Sequence, residues 1–130
     1  MAAEPKTILV AINDLFFYTK IRDVLRAGGY TLERARTTED VLQKASGLTP
    51  AAVVVNMNDE QIDAFRLLQD LRGNARSGTV PVLAFANHEE TETWRRAREL
   101  GVTKIVSRNE FSSRTRELIE EISAAATTPP

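Results

Sequence analysis

The positions that could carry chemistry in this sequence lie at the ends of short apolar runs. They are Ile12, Asn13, Asp14, Asn56, Ala86, Asn87, Ser107 and Arg108. Phosphoryl transfer to a carboxylate needs acidic ligands for a divalent cation, an aspartate nucleophile, a hydroxyl donor and a positive charge. Asn56 offers only a primary amide, which is a poor nucleophile, so these residue types supply little of that chemistry.

Other kinds of active site are also incomplete. His88 is the only histidine, and without a second ligand at a recognisable spacing it is predicted to be an ordinary loop residue. Ser107 has no base at a motif spacing to activate its hydroxyl. The chain has no cysteine and no glycine-rich phosphate loop. We therefore expect a binding protein rather than an enzyme, and we assign no catalytic residue.

A weak cation site is the one alternative that these polar residues leave open. Asp14 and Asp59 offer carboxylates, and Asn13, Asn56 and Asn58 offer neutral oxygens. The simpler interpretation is that the asparagines preserve local hydrogen bonds without charge. A pairing of the nearby guanidinium at position 108 with Asp14 or with a strand-end carbonyl would fit that interpretation.

Composition excludes several classes of function. The 130 residues are 42% hydrophobic and 27% charged, which fits one compact domain. A formal net charge of -1 gives no positive field to attract nucleic acid or an anionic membrane. The lack of cysteine suits a reducing compartment, and no apolar run approaches the roughly 20 residues that cross a bilayer. We expect a cytoplasmic protein that binds neither nucleic acid nor membrane.

Five strand-like runs alternate with segments of helical periodicity. Strands are predicted at 7–12, 30–35 (where Arg34 weakens the pattern), 51–56, 80–85 and 103–107. Helices are predicted from Phe17 to a stop at Gly28, from about Thr37 past Ala45, at 63–72, at 89–100 and from about Ser112 to Ala125. This alternation is typical of a parallel sheet with helices on both faces. Residues 1–124 are predicted to form the domain, and 125–130 a disordered tail or linker.

The order and spacing of these elements resemble the receiver domain of two-component response regulators, from about Lys6 to Ile122. The resemblance rests on four segments: 8–14 (Ile-Leu-Val-Ala-Ile-Asn-Asp), 62–65 (Ile-Asp-Ala-Phe), 80–86 (Val-Pro-Val-Leu-Ala-Phe-Ala) and 101–109 (Gly-Val-Thr-Lys-Ile-Val-Ser-Arg-Asn). It implies a flavodoxin-like, CheY-like α/β fold. That fold is a doubly wound, five-stranded parallel sheet with strand order 2-1-3-4-5 and five helices.

The residues that receiver domains use for phosphorylation are mostly replaced here. The resemblance places Ile12 and Asn13 at the acidic pair, Asn56 at the phosphoacceptor aspartate with Asn58 beside it, Ala86 at the hydroxyl residue, Arg108 at the lysine and Asn109 at the proline of a cis peptide. The proline-glycine that follows the phosphorylation site is replaced by Glu60-Gln61. Of the functional groups that receiver domains use, only the positive charge is retained, on Arg108. The resemblance therefore implies a degenerate pocket, a lost magnesium site and no cofactor.

A second group of residues is a candidate docking surface. The predicted fourth helix carries Trp94, Arg95 and Arg98. The resemblance implies that this region serves for dimerisation or partner binding, as it does in receiver domains. The alternative is that Trp94 packs over its own core while the arginines form a solvated face balanced by glutamates. Phe16 in the first helix is a further candidate for a binding patch beside the pocket.

These features predict a pseudo-receiver, a protein-protein interaction module in signal transduction that works without phosphorylation. Its partner would be a histidine kinase or an output protein, and a homodimer through the Trp94 surface would also fit. The alternative function is a conventional phosphorelay receiver with atypical active-site residues. An enzyme would need a convergent acid, base and nucleophile, which the sequence does not present.

Overall fold

The computed structural model describes the backbone of residues 6–127 and the side chains of residues 6–123. The strands are β1 (Thr7–Ala11), β2 (Thr31–Ala35), β3 (Ala52–Asn56), β4 (Val82–Ala86) and β5 (Lys104–Ser107). The helices are α1 (Leu15–Ala27), α2 (Thr38–Leu48), α3 (Ala64–Gly73), α4 (Thr91–Glu99), α5 (Arg108–Ser113) and α6 (Thr115–Thr127). No helix in this described part is long and apolar enough to cross a membrane.

The five strands form one parallel sheet in the order β2-β1-β3-β4-β5, which confirms the predicted topology. β1 lies between two neighbours, so that Ala11 pairs with Ala35 on one side and with Val55 on the other. Because all strands run the same way, their carboxyl ends meet at one edge of the sheet. The polar residues that follow the strands are therefore brought together at that edge.

Each face of the sheet has its own core. Ile8 and Val10 of β1 face the core beneath α1, α5 and α6, whereas Leu9 and Ala11 face the core beneath α2, α3 and α4. This alternation follows from the two-residue period of a strand. β3 and β4 are buried along their whole length, as expected for interior strands covered on both faces. The strand ends that carry the candidate site are thus rigidly placed.

Short polar side chains cap the start of several helices. Asp14 accepts a hydrogen bond from the Phe17 N–H at 3.0 Å and begins α1, and Asp63 caps α3 in the same way. Thr37 caps α2 by accepting from the Asp40 N–H at 3.1 Å, which agrees with the cap-type residues predicted there. Caps of this kind contribute about 1 kcal/mol each to stability.

The fourth strand begins two residues later than predicted. β4 starts at Val82 rather than at 80, because Pro81 has no N–H to donate to the ladder. The Pro81 carbonyl still accepts a hydrogen bond from the Val53 N–H at 2.9 Å. The strand itself was therefore predicted correctly, but its start was predicted two residues too early.

The predicted last helix corresponds to α6, and a short helix that was not predicted, α5, precedes it. Ser107 accepts a hydrogen bond from the Glu110 N–H at 3.0 Å, so α5 begins directly after β5. It ends at Ser113, because Arg114 has a φ of -130° and a ψ of 31°, which are not helical, and α6 follows. The described residues thus contain six helices where five were predicted. Residues 125–127, predicted to be tail, continue α6, while 128–130 lie outside the described residues.

Candidate functional site

Apolar side chains fill two positions of the predicted pocket. Ile12 and Ala86 are both 0% exposed. Ile12 belongs to the core that includes Phe17 and Phe85, and Ala86 belongs to the core on the opposite face of the sheet. The resemblance expects an acid at the first position and a hydroxyl at the second. Neither group is present, and neither side chain reaches the surface.

Asn13 and Asp59 close the space between the end of β1 and the loop after β3. The Asn13 backbone N–H donates to Asp59 Oδ2 at 2.9 Å, and Asn13 Nδ2 donates to both carboxylate oxygens at 3.1 Å. The Gln61 N–H donates to Asp59 Oδ1 at 2.9 Å, and Asn13 Nδ2 also donates to the Arg36 carbonyl at 3.0 Å. Donors within the chain therefore satisfy both oxygens of Asp59.

Asn56 is buried at the end of β3, with 6% of its surface exposed. Its Oδ1 accepts a hydrogen bond from the Asn58 N–H at 2.9 Å, which shapes the turn that follows the strand. The side chain at the expected phosphoacceptor position is thus a neutral amide with a structural role. Asn13, Asn56, Asn58 and Asp59 are called the inner crevice below.

Asn58 connects the loop after β3 to the start of α4. Its Nδ2 donates to Glu90 Oε1 and Oε2 at 2.9 and 3.0 Å, and its Oδ1 accepts from the Asn87 N–H at 3.1 Å. Asn87 Nδ2 donates to Glu90 Oε2 at 3.1 Å. Hydrogen bonds from Asn58, and next from Asn87, lower the pKa of the Glu90 carboxyl below its ordinary value. Glu90 had no sequence signal that separated it from the other glutamates of this region.

Arg34 reaches from the edge strand β2 to the end of β1. Its Nε donates to the Ile12 carbonyl at 3.1 Å, and its Nη2 donates to the Asn13 carbonyl at 2.9 Å. The guanidinium also lies 5.3 Å from the centre of the Tyr18 ring. A positive charge is therefore held beside the inner crevice. The only sequence signal for this role was a cationic residue within a strand-like run.

Arg108 and Asp14 form an ion pair on the other side of the same edge. Arg108 Nη2 lies 2.9 Å from Asp14 Oδ2, which is the pairing that the sequence suggested. The guanidinium is 4.3 Å from the centre of the Phe17 ring. The hydrogen bond from the Phe17 N–H, followed by Arg108, lowers the pKa of Asp14 below its ordinary value. Both partners are more than 40% exposed, so solvent screens the pair and its contribution to stability is small.

An open groove lies beside this ion pair. Its lining includes Asp14, Phe16, Lys20, His88 and Arg108, which are called the outer groove below. Phe16 is 91% exposed, more than the other exposed large apolar residues of the described chain. Lys20 donates to a serine hydroxyl at 2.6 Å and has an exposed side chain. An exposed ring beside two cationic side chains is typical of a surface that binds another macromolecule.

The candidate docking residues on α4 are engaged within the chain. Trp94 is half-buried against the core beneath α4, and its Nε1 donates to the Asn87 carbonyl at 3.0 Å. The Arg98 guanidinium lies 5.6 Å from the centre of the Trp94 ring, and Arg95 pairs with two glutamates of its own helix. These contacts favour the alternative of a packed tryptophan and a self-balanced helix face. Partner binding at this surface stays a prediction.

The oxygen donors of the inner crevice do not match a magnesium site. Magnesium prefers a near-octahedral set of oxygens that includes carboxylates. Ile12 supplies no oxygen, Asn13 directs its N–H groups at Asp59, and the oxygens of Asp59 already accept hydrogen bonds. Asn13 Oδ1 is buried and accepts no hydrogen bond, but one amide oxygen does not make a cation site. Across the described residues, no three histidine or acidic side chains converge as metal ligands would.

The sheet order and the crevice at its carboxyl edge define the class of this structure, which is the receiver-domain fold of response regulators. The signal receiver domain of a signal transduction histidine kinase from Syntrophus aciditrophicus is similar, with a TM-score of 0.83, 15% identity, and coverage of 96% of this chain and 95% of that chain. The receiver domain of a response regulator from Bermanella marisrubri matches with a TM-score of 0.82, 19% identity, and coverage of 92% and 98%.

A third similar structure carries a metal. It is the receiver domain of a sensor histidine kinase from Pseudomonas aeruginosa PAO1, with a magnesium ion coordinated in its active-site cleft. Its TM-score is 0.82 at 13% identity, with 93% of this chain and 99% of that chain covered. The sequence of the present chain matches no protein-family model and no curated protein. Its likeness to receiver domains is therefore a likeness of fold.

Proposed function

We propose that this chain is a degenerate receiver domain that acts in signal transduction as a phosphorylation-independent protein-protein interaction module. The observation that carries the proposal is the buried amide of Asn56 at the end of β3, held by the N–H of Asn58. An amide at this position does not attack a phosphoryl donor. The buried Ile12 and Ala86 remove an acidic ligand and a hydroxyl donor from the same edge. The function is binding rather than catalysis.

The chain is further proposed to have lost the magnesium site and to need no cofactor. Support comes from the hydrogen bonds that occupy both oxygens of Asp59 and from the apolar side chain of Ile12. The guanidinium of Arg34, bonded to two carbonyls at the end of β1, adds a fixed positive charge that opposes a divalent cation. These residues together leave little reason for a metal ion to bind.

The proposed partner is a protein of a signalling pathway, a histidine kinase or an output protein, in the cytoplasm. Two of the similar structures are receiver domains of histidine kinases, which supports this class of partner. The outer groove, with Phe16 exposed, offers one docking surface. The surface of Trp94, Arg95 and Arg98 is the second candidate, and it is where a homodimer would form. The formal net charge of -1 argues against nucleic acid or membrane as the partner.

A conventional phosphorelay receiver with atypical residues is the second candidate function. In its favour, the carboxyl edge of the sheet still has two carboxylates and one cation, on Asp14, Asp59 and Arg108. Phosphorylation would have to occur on one of these carboxylates. Each of them accepts hydrogen bonds from backbone N–H groups, which stabilise the charge and reduce its nucleophilicity.

Amide-resolved NMR of the isotope-labelled protein tests the proposal, with titration first by magnesium and then by beryllofluoride. Beryllofluoride mimics an aspartyl phosphoryl group, so it reports on the pocket without a kinase. We expect no saturable shifts in the inner crevice. Saturable shifts concentrated at Asp14, Asn56, Asn58, Ala86 and Arg108 would overturn the proposal and favour the phosphorelay receiver.

The variant Asn56→Asp separates the loss of the nucleophile from the loss of the metal site. It restores a carboxylate at the end of β3 but leaves Ile12, Asn13 and Arg34 in place. We expect this variant to be as silent toward magnesium and beryllofluoride as the parent chain, because cation ligands are still missing. A response in the variant alone would assign the lost chemistry to position 56 and contradict the proposed part of Ile12, Asn13 and Arg34 in the loss of the magnesium site.

A further inference from the structure

Two pairs of side chains bring positive charge and an exposed ring to the outer groove. Phe16 and Lys20 are four residues apart on α1, and each lies on the same face of that helix. Arg108 and Ser112 have the same spacing on α5, and all four residues line a cavity of about 710 Å³. Lys20 Nζ donates to Ser112 Oγ at 2.6 Å, which joins the two faces. The ammonium, the guanidinium and the ring are therefore gathered around one cavity.

The charges in this cavity do not cancel. Asp14 is the one acidic residue among those that line it, and it pairs with Arg108 at 2.9 Å. Lys20 donates to a neutral hydroxyl and has no acidic partner in the described part of the chain. The chain as a whole has a formal net charge of -1, so the local excess of positive charge is opposite in sign to the global charge. Such a cavity attracts anions.

The guanidinium of Arg108 keeps donors free for a ligand. It uses only Nη2 for Asp14, and its other nitrogens make no hydrogen bond to the described residues. Its centre lies 4.3 Å from the centre of the Phe17 ring, and this contact restricts its position. Arginine can bind phosphate oxygens through two N–H groups at once, whereas lysine acts as a point charge. Arg108 and Lys20 together therefore suit an anion with several oxygens, such as a phosphate group.

Phe16 supplies a planar apolar surface beside these cations. Its ring is 91% exposed, whereas the ring of Phe17, which also lines the groove, is 8% exposed and packs edge-on against Phe85. The core thus does not use the ring of Phe16. Flat aromatic groups stack on exposed aromatic side chains. The volume of the cavity also falls within the range of about 300–1,000 Å³ that is usual for small-molecule sites.

We propose that the outer groove binds a small organic phosphate that carries a planar aromatic ring, the class to which nucleoside monophosphates belong. The phosphate lies between Lys20 and Arg108, and the aromatic ring stacks on Phe16. None of the four residues of the inner crevice lines this cavity. Binding in the outer groove needs neither phosphoryl transfer nor magnesium, so this inference goes beyond the proposed function and does not rest on it.

Amide-resolved NMR of the isotope-labelled protein tests the inference, with titration by adenosine monophosphate in magnesium-free buffer. We expect saturable shifts at Phe16, Lys20, Arg108 and Ser112, with a dissociation constant at or below about 1 mM. Adenosine lacks the phosphate, and inorganic phosphate lacks the ring. Each of these two should bind at least roughly tenfold more weakly than adenosine monophosphate.

Two substitutions, each with a matched control, separate the charge from the ring. Lys20→Gln should weaken the binding of adenosine monophosphate roughly tenfold, because a charge-assisted hydrogen bond is lost. Arg26→Gln removes a positive charge from an exposed position at the other end of α1 and should change the affinity by less than about twofold. Phe16→Ala should weaken binding about fivefold or more. Leu15→Ala truncates a neighbour that is 60% exposed and lies outside the cavity lining, and it should leave the affinity unchanged.

The results that would overturn the inference are distinct. They are an absence of saturable shifts at millimolar adenosine monophosphate, equal affinity for inorganic phosphate, and equal losses in each variant and its control. Circular dichroism checks that every variant is folded, so that a loss of affinity reports on the site.

The inference and the proposed function fail in different experiments. Absence of binding by adenosine monophosphate would refute the inference and leave the proposed function, because a protein partner can dock without a nucleotide. Saturable shifts at Asn56 and Asn58 on addition of magnesium and beryllofluoride would refute the proposed function and leave the inference. Running both titrations on the same sample therefore assigns a negative result to one hypothesis or the other.

Discussion

The inner crevice and the outer groove lie side by side at one edge of the sheet, yet their side chains are organised in opposite ways. In the inner crevice, polar atoms bond to one another, as Asn13 does to Asp59 at 2.9 Å. In the outer groove, Phe16 is 91% exposed and the Arg108 side chain is 45% exposed. In one receiver-like fold, the inner crevice is therefore closed by hydrogen bonds within the chain, while the outer groove stays open to solvent.

The difference follows from burial. The inner crevice continues the interior strands β1 and β3. Asn56 is buried and Asn13 and Asp59 are half-buried, so their polar groups need partners within the chain, whereas Asn58 is exposed at the rim. The outer groove lies where α1 and α5 begin, and its polar side chains are exposed to solvent even where they pair with one another, as Arg108 does with Asp14. A substitution in the first region should therefore be felt mainly as a change in stability, and one in the second mainly as a change in binding.

The substitution Ile12→Asp is expected to have the largest effect. It places a carboxylate in a position with 0% exposure, within the apolar core that includes Phe17 and Phe85. We expect the free energy of unfolding to fall by about 4 kcal/mol or more at neutral pH, measured by urea denaturation. Burial raises the pKa of such a carboxyl, so the loss should shrink as the pH falls and the group is protonated.

Ile12→Val is the control for that prediction, because it removes one methylene without adding charge. Its expected cost is about 0.5–1.5 kcal/mol. If Ile12→Asp costs no more than Ile12→Val, the end of β1 is open enough to solvate a carboxylate, and the proposed closure of the inner crevice is wrong.

Removal of the charge at Asp14 is expected to have an intermediate, pH-dependent effect. The folded pKa lies below the usual 3.8, so the charge stabilises the fold above that pH, and this stabilisation is lost as the pH falls through the folded pKa. Asp14→Asn keeps an N-cap residue and should cost about 0.5 kcal/mol at neutral pH, after allowance for solvent screening. Thermal denaturation across acidic pH should show the two proteins converging at the acid end.

Asp23→Asn serves as the control for that experiment, because it removes one negative charge from an exposed position on the same helix. A cost that is equal for both variants, or that persists below the carboxyl range, would mean that the Asp14–Arg108 pair has no specific effect on stability.

Phe16→Ala should have the smallest effect on stability and a large effect on binding. Because the ring is 91% exposed, the free energy of unfolding should change by no more than about 0.5 kcal/mol. If the outer groove docks a partner through this ring, affinity for a captured signalling protein should fall by roughly tenfold or more, measured by calorimetry. Unchanged affinity would move the docking surface to Trp94, Arg95 and Arg98.

Phe17→Ala is the reference for Phe16→Ala in stability. The neighbouring ring is 8% exposed and meets Phe85 edge-on at 5.3 Å between ring centres. Its loss should cost about 3–5 kcal/mol. The two variants would then show that, within one turn of α1, Phe17 acts in packing and Phe16 acts in binding.

Local patterns predicted most of the elements. The apolar runs, the cap residues and the glycine stops identified the five strands and the parallel sheet, since these signals act within a few residues. The helix directly after β5 was missed because Ser107 is both the last residue of the strand and the N-cap of α5, and the strand pattern gives no sign that its side chain accepts the Glu110 N–H. The shifted start of β4 depended on Pro81, which cannot donate to the ladder.

The sequence by itself determined that an amide, Asn56, ends the third strand and that Ile12 and Ala86 stand where the resemblance expects an acid and a hydroxyl. Only the tertiary structure decided which partners these and the other polar residues meet. Asn13 bonds to Asp59 across 46 positions, Asn58 to Glu90 across 32, and Arg34 to the end of β1 across 22. Periodicity and capping are local, whereas these contacts depend on the register of strands and loops that are distant in sequence, which no local pattern encodes.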